Sequence, residues 1–307
     1  MWSAQTLQLI AAACEEDLGQ AGDITSALLP ATEEVAVGRV VLREAGVVCG
    51  LALGPVICAA FAGRLGITCE FAAAPGPQRL WADGDQAAAG TCIATLSGPR
   101  ATVLTIERTL LNFLSRLAGV ATLTSRFVAA ARQVNPHVQI LDTRKTLPGW
   151  RELDKYAVRT GGGQNHRHGL HDAVLIKDNH LAGVSVAELA EWLAAQLALL
   201  RDRSRFPRPP DFVEVEVDTL EQFAAVCRVA GIDIVLLDNF STAELREAVA
   251  QRDAAGLRGR VALEASGGVR LETVAEIAAT GVDRISSGAL TQAATGLDVA
   301  LELSPTP

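Results

Sequence analysis

Six short apolar runs in the second half of the chain, each tied to polar or charged groups, constrain the fold more than any other feature. VQIL (138–141) leads into Asp142, Thr143, Arg144 and Lys145, and AVLI (173–176) into Lys177. VEVEV (213–217) carries Glu214 and Glu216, and IVLL (234–237) leads to Asp238 and Asn239. VALEAS (261–266) runs into Ser266-Gly267-Gly268, and RIS (284–286) into Ser287-Gly288. Stretches with helical spacing separate them, at 184–201, 219–230, 242–255 and 271–280. This βαβα rhythm predicts a parallel sheet. A complete eight-fold barrel takes about 250 residues and only about 170 are available, so a short or open barrel is expected. Ligands of such sheets sit at the C-terminal strand ends, so the residues just named converge on one mouth.

The first half lacks that regularity and predicts a separate α+β domain. Residues 3–18 read as a helix with Ser3 as N-cap and Gly19 near its end. GDITSALLP (22–30) turns into a short segment stopped by Pro30. VAVGRVVLREAGVVCG (35–50) reads as a β-hairpin turned near Glu44 to Gly46. Residues 51–63 look helical, 66–73 and 90–98 look like strands, and 81–90 is turn chemistry. Residues 101–118 have helical spacing; Gly119 is expected to break that helix, with a second one from about Thr122 to Val134 stopped by Asn135-Pro136. The expected division is 1–118 as the first domain with its linking helix, 119–290 as the barrel, and 291–307 returning to the first domain.

A net charge of -8 leaves no basic surface for bulk nucleic acid, so any anion site must be a local cluster. The six cysteines form no CxxC and no ligand-like grouping with histidine, which points to buried free thiols in a reducing cytoplasm. The N-terminus has no basic n-region, and no apolar run reaches membrane-spanning length.

Local concentration is pronounced in 141–180. It holds all three lysines, Lys145, Lys155 and Lys177, four of the five histidines, and the only tyrosine, Tyr156. Elsewhere arginine alone supplies positive charge. Arg144, Lys145, His166, Arg167 and Lys177 are five potential cations at strand or loop ends, a set suited to a small, highly charged anion. They could instead pair with Asp142, Asp172 and Asp178. Glu216 and Asp238 end neighbouring strands; hard carboxylates suit Mg²⁺ arriving with a phosphate, acid–base work, or balance of the basic set. Alternation puts Glu214 and Glu216 on one face, and pattern does not separate them. Ser266-Gly267-Gly268 and Ser287-Gly288 follow the last two strands, where β/α barrels commonly hold a phosphate. Gly161–Gly163 reads equally as a mobile loop, a cradle or a turn. Arg108, beside Glu107 on a helix, reads by pattern as a solvated charge pair.

EEDLGQAGDITSALLP (15–30), ERTLLNFLSRLAGVATLT (107–124), the whole of 141–180, EVEVDTLEQ (214–222), LLDN (236–239), ASGG (265–268) and SSGALT (286–291) together resemble the quinolinate phosphoribosyltransferase (nicotinate-nucleotide pyrophosphorylase) family. The resemblance covers nearly the whole chain. It implies an α/β fold, an N-terminal α/β sandwich domain plus an open seven-stranded parallel α/β barrel, assembled as a homodimer or higher homo-oligomer. It implies transfer of phosphoribosyl from phosphoribosyl pyrophosphate to quinolinate with Mg²⁺, releasing pyrophosphate and CO₂ and giving nicotinate mononucleotide for NAD biosynthesis.

By motif match Arg108, Thr143, Arg144, His166, Arg167 and Lys177 would surround quinolinate, Arg108 reaching in from the partner subunit. Lys145, Glu216 and Asp238 would meet the phosphoribosyl group, with Glu216 and Asp238 at the Mg²⁺, directly or indirectly. Ser266, Gly267, Gly268, Ser287 and Gly288 would cradle phosphate. Lys145, Lys177, Glu216 and Asp238 are the expected catalytic set. Gln292 stands where many members carry histidine, and the Arg/Pro-rich 201–211 connection looks long, a surface loop without assigned function. The rival readings are a same-fold phosphoribosyltransferase for another aromatic acid, a Schiff-base aldolase using Lys177, and a non-catalytic phosphometabolite-binding barrel.

Overall fold

The structure, a computed structural model, describes residues 2–28, 35–202 and 204–303. Pro30 and its expected stop lie outside them. In chain order the elements are α1 (Ala4–Leu18), β1 (Val35–Leu42), β2 (Gly46–Val47), α2 (Gly54–Leu65), β3 (Glu70–Ala73), β4 (Gln86–Ala87) and β5 (Thr91–Pro99). Then come α3 (Arg100–Arg132), β6 (Gln139–Leu141), α4 (Arg151–Thr160), β7 (Val174–Ile176), α5 (Val186–Ala198), β8 (Val213–Val217) and α6 (Leu220–Val226). The chain continues with β9 (Ile234–Asp238), α7 (Thr242–Ala254), β10 (Ala262–Ser266), α8 (Leu271–Ala278), β11 (Arg284–Ser286), α9 (Ala289–Gln292) and β12 (Val299–Leu303).

These residues form two compact units. One comprises 1–125, 146–162 and 290–307; the other comprises 126–145 and 163–289. No helix is long and apolar enough, among the described residues, to cross a membrane.

The first unit is built on an antiparallel sheet, ordered β12-β1-β5-β3. In α1 the Ser3 hydroxyl accepts the Thr6 N–H, and Gly19 closes the helix at φ 51°. Thr6, Ile10, Cys14 and Leu18 recur every four residues and are its buried face. Two expectations fail here. Residues 35–50 are not a hairpin, because β1 spends its hydrogen bonds on β5 and β12, while the two-residue β2 pairs with β4. Of 66–73 only Glu70–Ala73 is strand.

Gly119 does not break a helix either. α3 runs unbroken for 33 residues, absorbing the expected second helix. A Cβ on Gly119 would lie 2.0 Å from the Thr295 carbonyl oxygen. The glycine is there for backbone approach, and packing overrides its low helix propensity.

The second unit is the parallel sheet, ordered β6-β11-β10-β9-β8-β7. All five residues of β8 are buried, as befits a parallel strand covered on both faces. Six strands are regular where the resemblance implies seven. Gln164 takes the remaining position as a single parallel bridge to Leu141. The preceding glycines, 161–163, explain why it does not extend, since glycine weakens strands. Among the described residues no pairing joins the β7 edge to the other side, so the sheet is open.

Candidate active site

Register aligns the strand ends that carry the polar residues. Ile176 faces Val215, which puts Lys177 beside Glu216; Asp238 faces Ser266, and Ser286 faces Leu141. Lys177 and Glu216 form an ion pair between their side chains. The lysine is half-exposed and the glutamate nearly covered. Burial raises the Glu216 carboxyl pKa while Lys177 lowers it and Asp238 pushes it up again, with a net rise. Asp238 is raised in the same way by burial, against Lys177 and Lys145 and alongside Asp218 and Asp178. This corner thus concentrates four carboxylates around two lysines.

That donor set fits Mg²⁺. Its oxygens are hard, four carboxylates face two lysines there, and burial, which raises the Glu216 and Asp238 carboxyls, leaves them short of water. Two side chains do not fill an octahedral shell, so most ligands would be water and substrate phosphate oxygens.

On the other side of the sheet a turn carries the cations. Asp142 is wholly buried, and its carboxylate accepts the His166 N–H at 2.9 Å and the Asn165 Nδ2 at 2.5 Å. Asp172 accepts the N–H groups of His168 and Gly169. These two aspartates therefore anchor the 165–169 backbone. Arg144 and Arg167 stand close enough for repulsion: burial lowers the Arg167 pKa, and the Arg144 charge lowers it further. The Arg144 Nε is buried without a hydrogen-bond partner among the described residues. Two adjacent guanidiniums, one with an unmet donor, make a receptor for a carboxylate pair or a phosphate. Thr143 accepts the Lys145 N–H at 3.0 Å, which tightens the same turn, and Lys145 itself is exposed.

His166 is buried, edge-on to Phe212. Its Nε2 lies 2.9 Å from Glu214 Oε2 and 3.4 Å from Glu264 Oε1, and its Nδ1 accepts the Arg167 N–H at 2.8 Å. Burial disfavours the imidazolium, but the two carboxylates outweigh it and lift the pKa to about 9. The Arg167 bond opposes full protonation, because a protonated Nδ1 cannot accept an N–H. At neutral pH the contact decides, and the ring carries its proton on Nε2. Glu264 also receives Arg284 Nε at 2.7 Å; burial raises its pKa, but His166 and Arg284 bring it down to about 2. Glu214 goes the other way, raised by burial and by Glu264.

The glycine loops close the same end. Gly267 and Gly268 have φ 93° and 60°, and a Cβ on Gly267 would sit 2.2 Å from Asn239 Oδ1. Asn239, at φ 57°, is the one non-glycine residue with positive φ among those described, and its N–H bonds the Ser266 carbonyl. The Ser287 N–H donates to Leu141 O, and its hydroxyl to Val269 O. Gly268 has open space where a side chain would be, which leaves its amide approachable by an anion.

Not every expected site residue lies in this unit. Arg108 is on α3 in the first unit, exposed, lining a cavity of about 290 Å³ with Asp17 and Trp150. Of the remainder of 141–180, Lys155 is wholly buried in α4, and Tyr156 donates its hydroxyl to Asp83. Glu264 and Arg284 were not singled out by sequence; their cross-strand pairing is invisible without the register.

Known proteins resemble this chain along nearly its whole length. Residues 23–118 match the family model for the quinolinate phosphoribosyl transferase N-terminal domain, and 120–302 match that for its C-terminal domain. The chain is 40% identical over 293 residues to the nicotinate-nucleotide pyrophosphorylase [carboxylating] of Mycobacterium leprae, covering 95% of this chain and 94% of that one. It is 37% identical over 287 residues to a probable enzyme of the same name from Methanothermobacter thermautotrophicus, covering 94% and 95%. The solved nicotinate-nucleotide pyrophosphorylase of Francisella tularensis superposes with a TM-score of 0.80 at 35% identity, covering 98% of this chain and 96% of that one. Matched in both domain models and along nearly its full length, the chain belongs to the quinolinate phosphoribosyl transferase family.

Proposed function

We propose that the chain transfers phosphoribosyl from phosphoribosyl pyrophosphate to quinolinate with decarboxylation, yielding nicotinate mononucleotide, pyrophosphate and CO₂. The observation that carries this reading is the adjacent, mutually repelling pair Arg144 and Arg167, with the unmet Arg144 Nε between turn and strand end. A dianion relieves that repulsion better than a monoanion, and quinolinate carries two neighbouring carboxylates.

Arg144, Arg167 and Lys177 bind those carboxylates and orient the ring nitrogen. Glu216 and Asp238 face the ribose, where their charge stabilises the positive character that grows as the anomeric carbon loses pyrophosphate. Lys145 and Lys177 stabilise the departing oxygens. Mg²⁺, held through Glu216 and Asp238 with the substrate phosphates, supplies further charge neutralisation when bound. The loops at 266–268 and 287–288 hold the 5′-phosphate through backbone N–H groups. Once the ring nitrogen is alkylated it withdraws electrons from the adjacent carbon, so the bond to the carboxylate breaks as CO₂ leaves, its electron pair stays on that ring carbon, and the carbon then takes a proton from water.

Arg108 serves the site from a partner subunit in a homodimer or larger assembly. Hybrids of Arg108→Ala with Lys177→Ala should recover activity that neither variant has alone; absence of recovery contradicts a shared site. The six cysteines are all free, which supports a reducing, cytoplasmic setting.

The direct test offers quinolinate or nicotinate with phosphoribosyl pyrophosphate and Mg²⁺. The expected result is nicotinate mononucleotide from quinolinate only. Product from nicotinate and none from quinolinate overturns the reading in favour of a same-fold transferase for another acid.

A further inference from the structure

The two glutamates under His166 have no task in the chemistry above, yet they occupy the costliest positions in the sheet. Glu214 and Glu264 are both wholly buried, on strands where their neighbours are Val215 and Leu263. One partly buried arginine, Arg284, offsets one of them. Burying the second charge costs stability, and well-packed apolar side chains in such places are commonly neutral or better. Stability therefore does not explain them. Neither Glu214 oxygen has an aligned hydrogen bond among the described residues, and the His166 ring is the polar group it lies against, Nε2 standing 2.9 Å from Oε2.

What His166 does with this contact follows from its other edge. Nδ1 is taken by the Arg167 N–H at 2.8 Å, and Nε2 faces the two carboxylates. Both ring nitrogens are thus committed within the protein. Arg167 needs the support: among the described residues its guanidinium makes one contact, from Nη1 to the Ala173 carbonyl at 3.4 Å. Its aim depends on its backbone.

We propose that Glu214 and Glu264 are positioning residues that hold His166 by its Nε2 edge, so that His166 acts as a strut under the Arg167 backbone rather than as a reader of substrate. The consequence for substrate rests on the dicarboxylate reading of the site; the strut itself does not. Glu214 is the better one to change, because Arg284 would be left without Glu264 if the latter were removed.

In the full-length chain, Glu214→Met should fold with an unchanged or higher Tm. It should speed amide exchange in the 164–169 segment about tenfold while strands β9 and β10 keep their protection. Its quinolinate affinity should fall about tenfold, with phosphoribosyl pyrophosphate affinity within about twofold. Glu214→Gln, which keeps an oxygen for Nε2–H, should restore most of both losses. Combined with Arg167→Lys, Glu214→Met should cost little beyond Arg167→Lys alone, since contacts acting through one group are not additive. Unchanged exchange at 164–169 overturns the strut. Fully additive losses of quinolinate affinity overturn its action through Arg167. A wild-type chain that binds no quinolinate overturns the functional reading instead, and exchange still judges the strut.

Discussion

Two carboxylate–cation clusters lie two residues apart on the same face of β8, and they have opposite characters. Glu214 sits in a closed set with His166, Glu264 and Arg284, with no side chain in the set more than 15% exposed. Glu216 sits in an open set with Lys177, whose side chain is 42% exposed, and with Asp238 near Asp218 and Asp178. The closed set pairs one glutamate with Arg284 and sets the other against the His166 ring, away from solvent; the open set has more acid to spare and has solvent access. A strand with alternating side chains places both pairs inward, and depth alone separates a scaffold from a reaction centre. The lesson is that acidic residues of a barrel are sorted by what can still reach them.

Removing the cation from each cluster should expose that difference. Lys177→Ala should lower turnover by at least about a thousandfold, as loss of a leaving-group stabiliser and a carboxylate contact together. Its Tm should stay near wild type, because a half-exposed ion pair adds little stability. Wild-type rates in this variant would falsify the placement of the open cluster at the chemistry. Arg284→Met should do the reverse. It strands Glu264 in the interior and should cost about 3–5 kcal/mol in denaturant unfolding. A stability loss under about 1 kcal/mol would show that the closed cluster is not the buried network described.

The smallest expected effect is on pH. Glu264 is held at about 2 against an ordinary carboxylate value of 4.5, so its contribution to stability is complete above pH 4.5 and is lost as pH falls through about 2. Glu264→Gln should flatten the acid limb of a Tm-against-pH curve in that window. An identical slope in both proteins would mean that Glu264 is not depressed. Glu216, raised rather than lowered, should give no such limb.

Much of this architecture is legible in the sequence, for physical reasons that also mark where it stops. The central parallel strands are short, largely buried runs, and each strand ends in the group it presents, so Lys177, Asp238 and Ser266 announce their own positions. Gly119 misleads because its cause, the Thr295 carbonyl 176 residues away in sequence, is not local. The 35–50 segment misleads for the same reason: β1 finds its partners in β5 and β12, not in the chain just after it. Glu214 and Glu216 cannot be told apart by a period of two. Glu264 gains meaning only when register sets it against Arg284. Asn239 is placed by the sequence at a strand end, but nothing local marks it as the residue that adopts positive φ.

The central claim is that the open cluster and the paired arginines together transfer phosphoribosyl to a dicarboxylate that then loses CO₂. Quinolinate carrying ¹³C in its 2-carboxylate, mixed with phosphoribosyl pyrophosphate and Mg²⁺, tests it in one vessel. Labelled CO₂ and pyrophosphate should appear one for one. Pyrophosphate without labelled CO₂, or neither product, contradicts the account.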